Sequence, residues 1–128
     1  MTFQRNTVQS NLYGAKFSIS SAATLSILSN LLSKNTATGL YVSGSFQSLA
    51  VPVIQDNRVT GVTSQYALSF AMTSGAGKIS IYGNYIEENN CENMVIISLS
   101  PSSSFTFNFE QNTIKKNNAK DSLMKIED

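Results

Sequence analysis

The sequence predicts an all-β solenoid, a parallel β-helix of about five coils of 24–28 residues, forming a single domain over residues 1–128. Three observations carry that prediction. A six-residue phrase recurs along the chain: a large apolar residue, two variable residues, Asn, one variable residue, then Val, Leu or Ile. It spans Phe3–Val8, Ile27–Leu32, Ile54–Val59, Ile81–Ile86 and Phe109–Ile114, centred on Asn6, Asn30, Asn57, Asn84 and Asn112, with steps of 24, 27, 27 and 28 residues. Apolar residues alternate with period two ahead of the Asn, which is the strand signal. Finally, clusters of Ser and Gly separate the apolar runs, as turns do.

Taken in order, the first coil opens on Phe3, and Phe17 and Ile19 form a second apolar run. The second carries Leu25 and Ile27, then Leu40 and Val42. In the third, Leu49, Val51 and Val53 are followed directly by Ile54, which breaks the alternation and predicts a bulge beside Pro52. Leu68, Phe70 and Met72 follow. The fourth has Ile79 and Ile81, then Met94 to Leu99, and the fifth has Phe105, Phe107 and Phe109, then Leu123 to Ile126. After each Asn, the apolar residue two places on (Val8, Leu32, Val59, Ile86, Ile114) resumes the inward face. Turns fall at Ser20-Ser21, Ser43-Gly44-Ser45, Ser74-Gly75-Ala76-Gly77 and Ser100 to Ser104. The many β-branched and Ser residues disfavour helix, and the several leucines at fixed places that leucine-rich repeats need are missing.

The recurrent Asn has a physical rationale. Asn tolerates the left-handed backbone that bends a strand sharply, and its amide both donates and accepts. Stacked at a strand spacing of ~4.8 Å, identical amides can bond from coil to coil. Asn6, Asn30, Asn57, Asn84 and Asn112 are therefore expected to form a structural ladder. A second Asn lies five places on (Asn11, Asn35, Asn89, Asn117), with Val62 breaking the row, and reads as a turn residue.

The run Ile81-Tyr82-Gly83-Asn84-Tyr85-Ile86 resembles the turns of right-handed parallel β-helix proteins of pectin-lyase-like type, which commonly read Ile-x-x-Asn-x-Ile. In style the chain is similar to β-helical surface and adhesin proteins, through the Phe-x-x-Asn forms at Phe3–Asn6 and Phe109–Asn112. The resemblance implies right-handed winding. It implies no single activity, because the family includes polysaccharide lyases, adhesins and phage tailspikes.

The residue chemistry offers little to an enzyme. With no His, a Ser-His-Asp site cannot be built. Lone Cys91 is expected to be buried and unpaired, and no zinc site follows. The acids Asp56 and Glu110 fall in different columns, so the paired carboxylates of glycoside hydrolysis are not specified. Glu87-Glu88-Asn89 with Glu92 is the best local cluster for a cation, yet calcium wants six or more oxygens. Repeat register offers a simpler role for it, since Glu87 stacks on Lys115 and Glu88 on Lys116 as exposed ion pairs. Tyr82 and Tyr85 flank Asn84 on outward positions. They are the candidate glycan contacts, and packing of Tyr85 on Arg58 is the structural alternative. No catalytic residue, metal or cofactor is expected.

The formal charge is only +1, so nucleic acid and anionic membranes are not implied partners. Charged residues make up 13%, about half the usual share, which points to a surface of neutral hydrogen-bonding groups. No apolar run is long enough to span a membrane, and no signal peptide is visible at Met1-Thr2-Phe3. The chain opens within a motif, without a cap. Further coils, or copies of itself end to end, are therefore the expected partners. The expected function is a non-enzymatic structural or adhesive module of an extracellular surface protein or filament. The alternative is a fragment of a carbohydrate-active β-helix enzyme, or a tailspike-like glycan-binding protein.

Overall fold

In the computed structural model, which describes residues 1–20, 24–46 and 52–127, the chain is a parallel β-solenoid. Ser21, Leu49, Val51 and Asp128 lie outside the described residues. The first coil contains β1 (Thr2–Gln4), β2 (Thr7–Gln9) and β3 (Tyr13–Ser20). The second contains β4 (Ser26–Leu28), β5 (Leu31–Ser33) and β6 (Thr38–Phe46). In the third, β7 (Val53–Gln55) and β8 (Arg58–Thr60) precede β9 (Tyr66–Tyr82), whose last residues already belong to the fourth coil. That coil continues with β10 (Tyr85–Glu87) and β11 (Asn90–Leu99). The fifth holds β12 (Ser103–Glu110), β13 (Thr113–Lys115) and β14 (Asn118–Glu127). No helix occurs among the described residues, and none is long and apolar enough to cross a membrane.

Each coil therefore has three sides, one more than the two apolar runs of the sequence pattern. The additional side is the three-residue strand after the Asn, which stacks in the order β13-β10-β8-β5-β2. It contains one inward residue, too few to alternate. The strands before the Asn and those of the second apolar run join in one nine-stranded sheet, because β9 passes from one side to the next without interruption.

Register is set column by column. Phe3, Ile27, Ile54, Ile81 and Phe109 stack in one inward column, and Val8, Leu32, Val59, Ile86 and Ile114 in another. On the third side, Ala15, Leu40, Leu68, Val95 and Met124 form one inward column. Phe17, Val42, Phe70, Ile97 and Ile126 form the next. Members of these columns in the middle coils are almost wholly buried. Phe46 meets Phe105 edge-on at 6.3 Å between centroids, and Phe70 meets Phe107 at 5.6 Å, tying the third side to the first. In the described part of the Pro52 region, β7 pairs both neighbours without a shift of register. The irregularities lie instead between Gly44 and Ser45 and between Cys91 and Asn93, where one strand has a residue more than its partner.

The ends differ from the middle. β1, β2 and β3 are paired on one side only, as are β12, β13 and β14. In the last coil the inward columns end in exposed Ile114, Met124 and Ile126, the last 63% accessible.

Candidate functional site: two asparagine ladders

Every corner that flanks the short middle strand is made by one residue in the left-handed conformation. At the first corner these are Arg5, Ser29, Asp56, Gly83 and Gln111, each immediately before the recurrent Asn. At the second they are Ser10, Lys34, Gly61, Glu88 and Lys116. All lie between φ 53° and 69°. This corrects the expectation that Asn itself supplies the left-handed bend. Only two of these ten residues are glycine, and the conformation disfavours any residue with a Cβ by roughly 1–2 kcal/mol.

The Asn follows the bend because the bend interrupts the sheet. Its N–H finds no carbonyl on the next coil, and the neighbouring Asn side chain stands in for one. Asn6 N–H donates to Asn30 Oδ1 at 2.9 Å, Asn30 N–H to Asn57 Oδ1 at 3.0 Å, Asn57 N–H to Asn84 Oδ1 at 2.9 Å and Asn84 N–H to Asn112 Oδ1 at 2.9 Å. Each of the same Oδ1 atoms also accepts from the preceding Asn Nδ2, at 2.9–3.1 Å. The remaining Nδ2 hydrogens of Asn30, Asn57, Asn84 and Asn112 reach back to the carbonyls of Phe3, Ile27, Ile54 and Ile81 at 2.7–2.9 Å. Asn30, Asn57 and Asn84 are buried, and this pattern uses both hydrogens of each of their amides and both acceptor positions. No buried side-chain nitrogen or oxygen lacks a partner among the described residues.

The second Asn row is more than a set of turn residues. Asn11 N–H donates to Asn35 Oδ1 at 3.2 Å, and Asn89 donates from N and Nδ2 to Asn117 Oδ1 at 2.9 and 3.0 Å. Asn35, Asn89 and Asn117 reach back to the carbonyls of Val8, Val59 and Ile86. Val62 interrupts this ladder: its N–H still donates to Asn89 Oδ1 at 2.9 Å, but it offers Asn35 nothing in return.

Both ladders have a direction. The donor is always in the earlier coil and the Oδ1 acceptor in the later one. Among the described residues, Asn6 Oδ1 therefore accepts nothing, and Asn112 N–H donates to nothing.

No protein-family model, curated protein or solved structure matches this chain. The residues themselves must therefore supply the functional reading.

The remaining candidates disperse. Tyr82 and Tyr85 stand on different sides of the Asn84 corner, one closing β9 and the other opening β10. Tyr82 is half-buried, and its hydroxyl donates to Gln111 Oε1 at 2.6 Å, while Tyr85 is 49% exposed. Arg58 pairs in register with Tyr85, as the repeat alignment implies, but its guanidinium turns to Glu87 at 2.7 Å. Among the described residues the cation–π contacts lie elsewhere, with Lys16 Nζ 5.1 and 5.3 Å from the rings of Tyr13 and Tyr41.

Glu87 lies between Arg58 and Lys115, the latter at 3.5 Å, and is buried rather than exposed. Glu88 and Lys116 form the expected exposed pair at 3.9 Å. With Glu87 held by two cations and Asn89 in the second ladder, the acidic run presents no shared cation position. Among the described residues no group of three potential metal ligands assembles. Cys91 is buried, its Sγ 3.3 Å from the Asn93 carbonyl, and burial pushes its thiol up to about 11.

Proposed function

We propose that this chain is a non-enzymatic structural module that stacks end to end, as a segment of an extracellular β-helical surface protein or filament. The observation that carries this reading is the state of the two ends. The inward columns run uncovered to the last coil, where Ile114, Met124 and Ile126 are exposed, and the strands of both terminal coils have open edges. An open parallel edge above apolar rungs is a template for another coil of the same kind. Further coils of the same kind or a second copy fill that position, and between copies a head-to-tail contact of this type does not close on itself. The surface setting rests on the resemblance to β-helical adhesins and on the scarcity of charge.

Sedimentation velocity over a concentration series tests the reading. The expected result is a set of species that lengthens as concentration rises. A chain that stays monomeric at the highest concentration overturns it.

Glycan contact is a second reading, favoured by one observation: the exposed ring of Tyr85 beside the Arg58–Glu87 pair. Oligosaccharide binding that Tyr85→Ala abolishes and Tyr82→Phe retains would support it. Retention of binding in Tyr85→Ala would end it.

A further inference from the structure

We infer that the two ends recognise each other in one polarity and one register, with Asn112 of one copy donating to Asn6 of the next. The inference rests on the end-to-end reading above and specifies its interface.

Polarity follows from the ladders. Coil by coil, the backbone N–H and one Nδ2–H of each ladder Asn point toward the later coil, and its Oδ1 points toward the earlier one. The stack therefore ends in free donors at Asn112, and it begins with a free acceptor at Asn6. Asn117 and Asn11 stand in the same relation in the second ladder. Head-to-tail contact sets donors on acceptors in both ladders at once. Head-to-head contact would set carbonyl oxygen against carbonyl oxygen. Tail-to-tail contact would set N–H against N–H.

Register follows from the one part of the coil that does not vary. From the first corner to the second the spacing is five residues in every coil, whereas the connections elsewhere differ in length. Placing Asn112 on Asn6 therefore also places Asn117 on Asn11. Phe109 then lies over Phe3, Ile114 over Val8 and Thr113 over Thr7, continuing the columns already present. Phe107, Phe109 and Ile114 of the last coil thereby meet Met1, Phe3 and Val8, three apolar partners.

Charge agrees. The first coil carries Arg5 and Lys16 and no acid, and in this register Arg5 falls beside Glu110 of the preceding copy. A slip of one coil position would lose both ladders and this pair.

Cross-linking tests the inference. Thr7 and Thr113 face outward and would be direct neighbours across the junction. At a strand spacing of ~4.8 Å their Cα atoms would lie within disulfide range. Thr7→Cys and Thr113→Cys chains, mixed under mild oxidation, are expected to form mixed disulfide dimers. Neither variant alone should cross-link, because native Cys91 is buried.

Charge reversal gives an independent reading without new thiols. Arg5→Glu and Glu110→Arg should each weaken assembly roughly fivefold, and the two variants should assemble with each other across the restored pair. Assembly without the mixed disulfide, or Thr7→Cys cross-linking to itself, overturns the register while leaving end-to-end stacking in place. A monomer at every concentration removes the stacking reading, and the interface with it.

Discussion

Truncating Asn57 to Ala removes the centre of the first ladder, and its effect can be worked out from four hydrogen bonds. The Asn57 carboxamide accepts from Asn30 N at 3.0 Å and Asn30 Nδ2 at 2.9 Å. It donates to the Ile27 carbonyl at 2.8 Å and to Asn84 Oδ1 at 3.0 Å, and it is 0% exposed. Asn84 Oδ1 keeps the Asn57 backbone N–H. The Asn30 donors and the Ile27 carbonyl lose their ladder partner. Each buried polar group left unmade costs ~1–3 kcal/mol, and water entering the vacated space offsets part of that. The expected loss is about 3 kcal/mol, equivalent to a fall in Tm of roughly 10 °C for a chain of this size. The terminal positions supply the control. Asn6→Ala removes only a part-exposed donor and should cost less than ~1 kcal/mol, whereas Asn112→Ala strands the N–H and one Nδ2–H of Asn84 and should cost about 2 kcal/mol. Denaturant melts of the three variants give the comparison. A neutral Asn57→Ala, or equal losses at Asn6 and Asn112, would refute a directional ladder.

Three further outcomes are expected. Val62→Asn should change stability by less than ~1 kcal/mol, because new bonds to Asn35 and Asn89 replace the lost apolar burial. The same change at inward Val59 should cost several kcal/mol, about the usual penalty for a buried amide without partners, and equal melts for the two would contradict the gap in the second ladder. Glu87→Lys should be clearly more destabilising than Glu88→Lys in matched melts at low and high salt, since the first places a third cation in a buried position beside Arg58 and Lys115. Indistinguishable melts would contradict the burial of Glu87. Cys91 should resist thiol reagents at pH 8 until the chain unfolds. Its pKa lies higher in the folded state than in the unfolded one, so the folded chain holds the proton longer, and stability should decline as pH rises through 9 toward about 11. Rapid labelling of the folded chain, or stability flat across that window, would contradict its placement.

The Asn phrase was legible because its chemistry admits few substitutes: only a carboxamide can accept two N–H groups from the coil before and donate in both directions. The bend itself was not legible. Arg5, Ser29, Asp56 and Gln111 share no chemistry, and their left-handed backbone is held by the ladder that follows them. Gly83 at the first corner and Gly61 at the second are the only hint of it in the sequence. The second ladder is obscured in the sequence because Val62 breaks it, and the middle strand leaves no signal there because three residues with one inward side chain cannot show alternation. Ion-pair columns at Glu87–Lys115 and Glu88–Lys116 followed from register alone. Burial of Glu87 did not, because Arg58 reaches it along the diagonal rather than the column.

Residue-resolved hydrogen exchange of the backbone N–H groups of the ladder asparagines, measured over a concentration series, tests the account most directly. The N–H groups of Asn30, Asn57 and Asn84 each end on the Oδ1 of the next Asn, and they should be strongly protected at every concentration. Asn112 N–H should exchange freely in dilute solution and become protected as copies stack and bring Asn6 Oδ1 to it. Fast exchange at Asn57, or an Asn112 N–H that stays unprotected while the chain assembles, would contradict it.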